Sequence, residues 1–308
     1  MPRLCHFIST ESILKLNQNN VFTVNEFLQI DSDTLSVYAS LPVEDIISVK
    51  QQLLEAYSGD VKSGFDLLHF EDRGLCKTGI EELDSLTKGG LRPGSILELS
   101  GLSGSGKTQL ALNILVNLSL KDDIDAVYID TKNDFRPEHF SSLLKAKLKE
   151  DEKLEGIIKK IFLQKIMDIH ELISALHNLK IKYSESKRNS IRLIIVDSIS
   201  VVSFPFLGNN EGLPLLNHIA CVAKFLAAEF NAIIIFINLA IRHFNDKEAT
   251  EELRPFLGKY WLYVPNTRLM ISRPDPSHIS RKIQVAKSDT LKNGDFCMID
   301  ILENGLIV

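Results

Sequence analysis

The sequence predicts an α/β fold: a mostly parallel sheet covered by helices on both faces and closed by antiparallel strands, preceded by a small all-α domain. Three observations carry that prediction. From residue 78 to residue 308, short apolar runs alternate with longer amphipathic stretches, the pattern of linked β-α-β units. The last runs follow one another with only turn residues between them, as antiparallel strands do. Between residues 4 and 57 the apolar positions recur at helical spacing.

Residues 1–57 are the helical domain. Ile13, Leu14 and Leu16, then Val24, Phe27 and Leu28, then Ile46, Ile47, Val49, Leu53 and Leu54 mark three or four short helices, punctuated at "NQNN" and "DSD". Residues 58–77 contain three glycines and no sustained period, and read as a linker. The core, 78–308, opens with the strand "SILELSG" and the amphipathic helix "KTQLALNILVNLSL". "DAVYID" is the next strand, followed by a helix from Pro137 to about Lys149 with proline in its first turn. "KIFLQKI" is a strand, and Asp168 caps the helix "DIHELISALHNLKIKYS". "IRLIIVD", the helix "LPLLNHIACVAKFLAAEF" and "AIIIFIN" continue the alternation. "TRLMISR", "RKIQVAK" and "FCMIDI", with a turn at Asn304 and Gly305, close the sheet.

Composition narrows the function. With 44% hydrophobic and 24% charged residues among 308, the chain is an ordinary soluble globular protein. A net charge of -5 excludes polyanion binding through bulk charge, so nucleic-acid contact must be local, through a few Lys and Arg on loops. Cys5, Cys76, Cys221 and Cys297 are scattered, which fits reduced thiols in a cytosolic or nuclear protein rather than zinc ligands or disulfides. The amino terminus lacks a signal-peptide profile, and runs such as "NAIIIFINLAI" are too short to span a bilayer. No membrane partner is expected.

"GLSGSGKT", Gly101 to Thr108, matches the phosphate-binding P-loop pattern in the right context, after a strand and before a helix. Gly104 and Gly106, with Ser103 before them and Ser105 between them, allow backbone N–H groups to converge on phosphate oxygens, and the helix amino terminus adds its dipole. Lys107 neutralises the outer phosphates, and the Thr108 hydroxyl completes a Mg²⁺ shell. Asp197, after four apolar residues in "RLIIVD", is the acidic residue expected to hold Mg²⁺ through water. ATP and Mg²⁺ are therefore the expected ligands.

The stretch "TGIEELDSLTKGGLRPGSILELSGLSGSGKTQ", residues 78–109, resembles the opening of the RecA-family recombinase ATPase core, through Thr78, Gly79, Leu83, Asp84, Gly89, Gly90, Gly94, Glu98 and Gln109 after the P-loop. "YIDTKNDFRPEHF" and "LIIVDS" are similar to the family's next strand and its Mg²⁺ strand. "LRPFLGKYWLYVPNTRL" and "VAKSD" look most like a eukaryotic recombinase paralogue of the D type. The resemblance covers residues 78–308 and implies a RecA-like P-loop core that binds ATP between subunits and acts on single-stranded DNA in the nucleus. It adds Gln109, Arg136 and His139 to the nucleotide site, the last two near the adenine; Arg136 paired with Glu138 or Asp134 on the surface is the alternative.

Two departures from the family stand out. The glutamate that activates the attacking water falls on Lys132, and the glutamine that senses the outer phosphate falls on Leu239. An ammonium cannot accept the water's proton, and losing a positioned base costs about a hundred- to ten-thousandfold in rate. Nucleotide binding with feeble turnover is expected, with Lys107 as the surviving catalytic residue and Asp134 or Glu138 as substitute bases.

The family's first DNA-facing loop falls at 203–212, without Lys or Arg; the second falls at 241–260, with Arg242, His243, Arg254 and Lys259 as candidate contacts. Phe244 and Phe256 either stack on unpaired bases or pack against the core. The resemblance sends Lys287 to a neighbour's nucleotide and makes Phe65, in "SGFDLL", the aromatic plug into an adjacent subunit. The helical domain's hairpin reads "SLPVEDI", which suits packing or partner contact better than a phosphate clamp. The leading expectation is a paralogue in homologous recombination and double-strand break repair. It would belong to a heteromeric complex, with other paralogues, that loads or stabilises a recombinase filament on single-stranded DNA. The alternatives are an active DNA-dependent ATPase with its own strand exchange, and an interaction module with a structural nucleotide.

Overall fold

A computed structural model describes residues 7–19, 21–57, 74–121, 124–148, 154–185, 191–245, 250–275 and 277–307. The chain divides into two compact units, residues 1–72 and 73–308.

In the first unit, four helices occupy the described residues: α1 (Thr10–Gln18), α2 (Val24–Gln29), α3 (Ser32–Ala39) and α4 (Val43–Tyr57). Local chemistry sets their starts. Ser9, Thr23 and Asp31 cap the first three through side-chain oxygens, and Thr23 with Glu26 forms a reciprocal capping box. In "SLPVEDI" α3 ends on Ser40 in the left-handed region, φ 53°. Leu16, Phe27, Leu35, Ile46 and Leu53 are fully buried and form this unit's own core.

The second unit begins ahead of residue 78, because Cys76 exchanges backbone hydrogen bonds with Leu91, both of 2.8 Å. Its elements are α5 (Glu81–Leu86), β1 (Ile96–Gly101), α6 (Lys107–Lys121), β2 (Asp125–Asp130), α7 (Pro137–Lys147), α8 (Leu154–Ile158), β3 (Ile161–Lys165), α9 (Ile169–Glu185), β4 (Ile191–Asp197), α10 (Ile199–Ser203), α11 (Gly212–Phe230), β5 (Ile233–Asn245), β6 (Thr250–Pro255), α12 (Gly258–Trp261), β7 (Thr267–Ser272), β8 (Ser280–Ser288) and β9 (Phe296–Asp300). The sheet order is β3-β2-β4-β5-β1-β7-β8-β9, with β6 paired to β5 alone. The pairings from β3 to β7 are parallel, and those of β7 with β8 and β8 with β9 are antiparallel, the closure expected from the sequence.

Strand residues alternate between two apolar layers, as a doubly covered parallel sheet requires. Leu97, Leu99, Tyr128, Ile195 and Ile235 pack with α6 and α7 residues such as Leu110, Ile114 and Leu144. Ile96, Val127, Ile194, Val196 and Phe236 pack with Leu172 and Leu176 of α9 and Ile219, Ala223 and Leu226 of α11. Among the described residues α11 is the one helix long and apolar enough to cross a membrane. Its apolarity has a local cause, since one face is buried in that second layer.

Three segments differ from the sequence expectation. The segment 203–212, read as a loop, starts inside α10 and continues through a 3-10 turn, Phe204–Phe206, to α11. The segment 241–260 is a β-ribbon for much of its length, because β5 runs thirteen residues and β6 returns against it, Ile241 opposite Arg254 and His243 opposite Glu252. Cross-strand pairing imposes that form on polar residues of modest strand propensity. Helix α7 ends at Lys147 rather than about Lys149.

Candidate functional site

The site forms where four parallel strands end together. Gly101 of β1 stands in register with Leu239 of β5, Asp130 of β2 with Asp197 of β4, and Asp197 with Ile237. The carboxyl edge of an open α/β sheet is where ligands bind.

The loop from β1 to α6 adopts backbone angles that only glycine accepts comfortably, φ 73° at Gly104 and φ 103° at Gly106. A Cβ on Gly101 would clash with the Ile271 carbonyl oxygen and lie 2.7 Å from Ser105 Oγ. Lys107, the first residue of α6, donates through Nζ to the carbonyls of Gly101 at 2.9 Å and Leu102 at 2.7 Å. Burial pushes its ammonium down to about 8, helped by neighbouring Lys132 and opposed by Asp197. An open cavity of about 420 Å³ follows, lined by Gly104, Gly106, Thr108, Lys132, Leu239 and Arg281 among others. A larger cavity, about 480 Å³, lies at the opposite ends of β1 and β7 beside Leu97 and Thr267, away from these residues. The glycine-lined cradle with its lysine fits the phosphates of ATP.

Thr108 and Asp197, the expected Mg²⁺ ligands, do meet: the Thr108 hydroxyl donates to Asp197 Oδ2 at 2.7 Å. That oxygen also accepts from the Tyr128 hydroxyl at 2.8 Å. Burial and the adjacent Asp197 raise the Tyr128 phenol above its ordinary value, so it remains a donor. Lys132 then completes the group. Its ammonium lies 2.8 Å from Asp197 Oδ1, a close ion pair rather than an aligned hydrogen bond, and donates to Thr108 Oγ1 at 3.1 Å. As arranged, these oxygens do not fit a metal ion, because a fixed cation already bridges them.

The turn after β2 explains how Lys132 gets there. Asp130, buried, accepts the backbone N–H of Lys132 at 3.0 Å and Asp134 at 3.4 Å on Oδ1, and that of Phe135 at 2.9 Å on Oδ2. Thr131 and Ser198 bind each other reciprocally, through Ser198 N–H to Thr131 Oγ1 at 2.7 Å and Thr131 Oγ1 to the Ser198 carbonyl at 2.8 Å. The ends of β2 and β4 are thereby held in register, and the Lys132 side chain crosses from one to the other.

Around this centre the other expected residues separate. Asp134, Arg136 and Glu138 are exposed, and no ion pair joins Arg136 to Glu138 or Asp134 among the described residues. His139 Nε2 lies 3.0 Å from Gln109 Oε1, so these two act as a pair. The carboxyl-terminal turn presses on them: a Cβ on Gly305, φ 80°, would clash with Gln109 Oε1. Arg242 lines a separate cavity of about 380 Å³ with Leu102, Ser103, Gly104 and Arg273. Arg254, opposite Ile241, belongs to the other face of the ribbon, with His243; Lys259 is exposed on α12. The four candidate DNA contacts therefore do not form one basic surface. Phe256 stacks on Phe204 at 5.8 Å and packs against the second apolar layer. Lys287 donates to the Pro265 carbonyl at 2.6 Å, within its own chain. Phe65 lies outside the described residues.

One residue, Arg281, escaped sequence reasoning, as did the contacts of another, Glu98. Arg281, on β8, is buried; Nη1 donates to the carbonyls of His278, Ile279 and Ser280 at 3.1, 2.8 and 3.0 Å, and Nε, close to Gly106, has no partner among the described residues. Glu98, on β1, accepts from Asn238 at 2.7 Å and from Arg268 Nε at 2.6 Å, which fixes β1 between β5 and β7 three residues before the P-loop. For Arg281 the only sequence signal was an arginine in "ISRKIQ"; Glu98 stood among the residues of the family resemblance, and only its partners were missed.

A family model described as Rad51 matches residues 75–307. The chain is 26% identical over 283 residues to DNA repair protein RAD51 homolog 4 of Bos taurus, covering 89% of this chain and 85% of that protein. It is 28% identical over 236 residues to DNA repair and recombination protein RadA of Aeropyrum pernix, covering 73% and 72%. Its fold is that of the RadB recombinase crystal structure, at TM-score 0.62 and 24% identity over 76% of this chain and 98% of that one.

Proposed function

Because the chain belongs to the Rad51 family, whose members act in DNA repair and recombination, we propose that it is an ATP-binding paralogue working in homologous recombination and double-strand break repair. In this reading it binds nucleotide well, hydrolyses it feebly, and serves in the nucleus as one subunit of a heteromeric assembly. That assembly, with other paralogues, loads or stabilises a recombinase filament on single-stranded DNA. The observation that carries the proposal is the combination in one cavity of an intact phosphate cradle, Gly101 to Thr108, with Lys132 and Leu239 at positions where hydrolysis and its sensing need a base and a polar donor.

Each residue has a role in this reading. The backbone of Ser103 to Thr108 and the Lys107 ammonium receive the phosphates; Gln109 and His139, paired with each other, flank the nucleotide. Lys107 leaves its carbonyl partners for phosphate oxygens, a stronger charge-assisted contact. Leu239 offers the outer phosphate no hydrogen bond, so loss of that phosphate is not relayed to the β5–β6 ribbon through this residue. Lys287 and Phe65 are assigned to neighbouring subunits.

The test is steady-state hydrolysis by the purified chain with and without single-stranded DNA, alongside co-purification of its partners from native extract. Turnover well below about 1 s⁻¹, the low end of ordinary enzymes, with stoichiometric partners bound, is the expected result. DNA-stimulated turnover at or above that rate by the lone chain, with filaments formed unaided, would replace this reading with that of an active recombinase.

A further inference from the structure

Lys132 does more than remove a base. Its ammonium reaches two oxygens belonging to different elements, Thr108 Oγ1 at 3.1 Å on α6 and Asp197 Oδ1 at 2.8 Å on β4. Asp197 is 1% exposed and the Lys132 side chain 26%, so the pair is formed largely out of water. Every group around it is committed: Asp197 Oδ2 holds Thr108 and Tyr128, and Asp130 holds the turn. Thr108 is the strongest sign. Its hydroxyl gives its proton to Asp197 and turns a lone pair to Lys132, so the ammonium stands on the side of the oxygen that a metal ion would approach.

We propose that the Lys132 ammonium is a built-in cation that takes the place of magnesium, so that this chain binds nucleoside di- and triphosphates without a metal ion. The inference rests on the ATP-binding reading of the cavity and specifies how the charge of the phosphates is met there. Lys107, Lys132 and Arg281 line the cavity against the two buried carboxylates of Asp130 and Asp197, which leaves the cradle net positive before any ion arrives. Bringing a divalent cation to the same oxygens would place it against the ammonium, and the repulsion doubles that of a monovalent pair. Magnesium also yields its water reluctantly and demands near-ideal octahedral geometry, which a lysine wedged between two of its ligands prevents. A lysine needs no dehydration of an ion and no free metal.

The experiment is equilibrium binding of ADP and of a non-hydrolysable ATP analogue to the full chain, in excess magnesium and in EDTA. Wild type should change in affinity by less than about threefold between the two. Lys132→Ala should bind at least about tenfold more weakly in EDTA than in magnesium, because its exposed Thr108–Asp197 pair now takes the ion. Lys132→Arg, which keeps the charge, should stay nearly metal-independent, and thermal melts of each variant confirm that it is folded. Wild-type affinity that collapses on chelation overturns the lysine proposal and leaves the nucleotide site standing. No nucleotide binding in either buffer removes the nucleotide site itself, and the lysine proposal with it. Equal metal dependence in wild type and Lys132→Ala also overturns it.

Discussion

The buried Glu98–Arg268 pair offers a measurable test of how the sheet holds its phosphate loop. Arg268 is 5% exposed and Glu98 fully buried, and they face each other across β1 and β7 at 2.6 Å. Arg268 also donates to the Trp261 carbonyl at 3.1 Å, and Asn238 donates to the other oxygen of Glu98. Arg268→Ala leaves an uncompensated carboxylate in the apolar layer, a change that typically costs about 3–5 kcal/mol. For a unit spanning residues 73–308, each kcal/mol lowers Tm by about 2 °C, so the fall is about 6–10 °C. Burial already pushes the Glu98 carboxyl above its ordinary value, against the pull of Arg268 and Asn238. Removing Arg268 removes most of that pull. A carboxyl whose folded value is raised binds more protons folded than unfolded, so stability is lost as pH rises through the folded value. The variant should therefore recover part of its deficit as pH is lowered from about 7.5 to about 5.5. Calorimetry of wild type, Arg268→Ala and Glu98→Leu/Arg268→Met reads all of this. The double variant should melt well above the single one, since apolar replacement of a buried pair is often neutral. A single-variant loss under about 1 kcal/mol, or one that deepens on acidification, would refute the reasoning.

Three further outcomes follow from contacts elsewhere. Gly305→Ala forces a side chain onto Gln109 and His139 at φ 80° and should cost at least about 1 kcal/mol in a denaturant melt, together with some nucleotide affinity. The Nε2 atoms of His177 and His218 lie 2.7 Å apart; burial, His218 and Lys180 lower the His177 value below its ordinary one, so stability falls as pH drops through that region. Acidification from about pH 7 to about pH 5.5 should lower Tm by about 1–2 °C more in wild type than in His218→Gln, a small difference because the pair is exposed. Arg242 and Arg254 lie on opposite faces of the ribbon, so charge reversal should separate them: Arg254→Glu weakens single-strand binding and lowers its salt slope by about 1, while Arg242→Glu also weakens nucleotide binding. Identical effects on both ligands, by fluorescence anisotropy, would place the two arginines on one surface.

What the sequence made legible was local. The P-loop is eight consecutive residues whose glycines and lysine fold the same way wherever strand and helix flank them, and Asp197 follows directly from a buried strand. The short helices α5, α8 and α12 were illegible because one or two turns carry no full period. The reach of β5 beyond Asn238 was hidden for a different reason: His243 and Asn245 are poor strand formers, and only their partners on β6 decide the matter. Glu98 with Arg268 is separated by 170 residues, and Arg281 reaches Gly106 from β8, two strands from β1 and 175 residues on in the chain. Lys132 was legible as a missing base. Its contacts were not, since they depend on Asp130 and Asp197 standing in register on neighbouring strands.

That register also bears on where any residual turnover comes from. A general base must lie within hydrogen-bond reach of the water it activates, or one water away, and be held there. Asp130 is spent, with both oxygens on backbone N–H groups. The Asp134 and Glu138 side chains are exposed, and neither is held by a hydrogen bond or ion pair among the described residues, so neither is organised in advance. Single changes Asp134→Asn and Glu138→Gln should therefore leave the slow hydrolysis rate within about twofold. Lys132→Glu is the contrasting case, because the Asp130 turn that carries residue 132 is built from backbone groups and survives the substitution. A base in place is worth about a hundred- to ten-thousandfold, but here the new carboxylate faces Asp197 and Leu239 still cannot sense phosphate. Turnover in magnesium should rise by at least about tenfold, the modest end of that range, and should gain no stimulation by single-stranded DNA. An unchanged rate in a folded, nucleotide-binding Lys132→Glu chain would mean that position 132 is not where this site lost its catalysis.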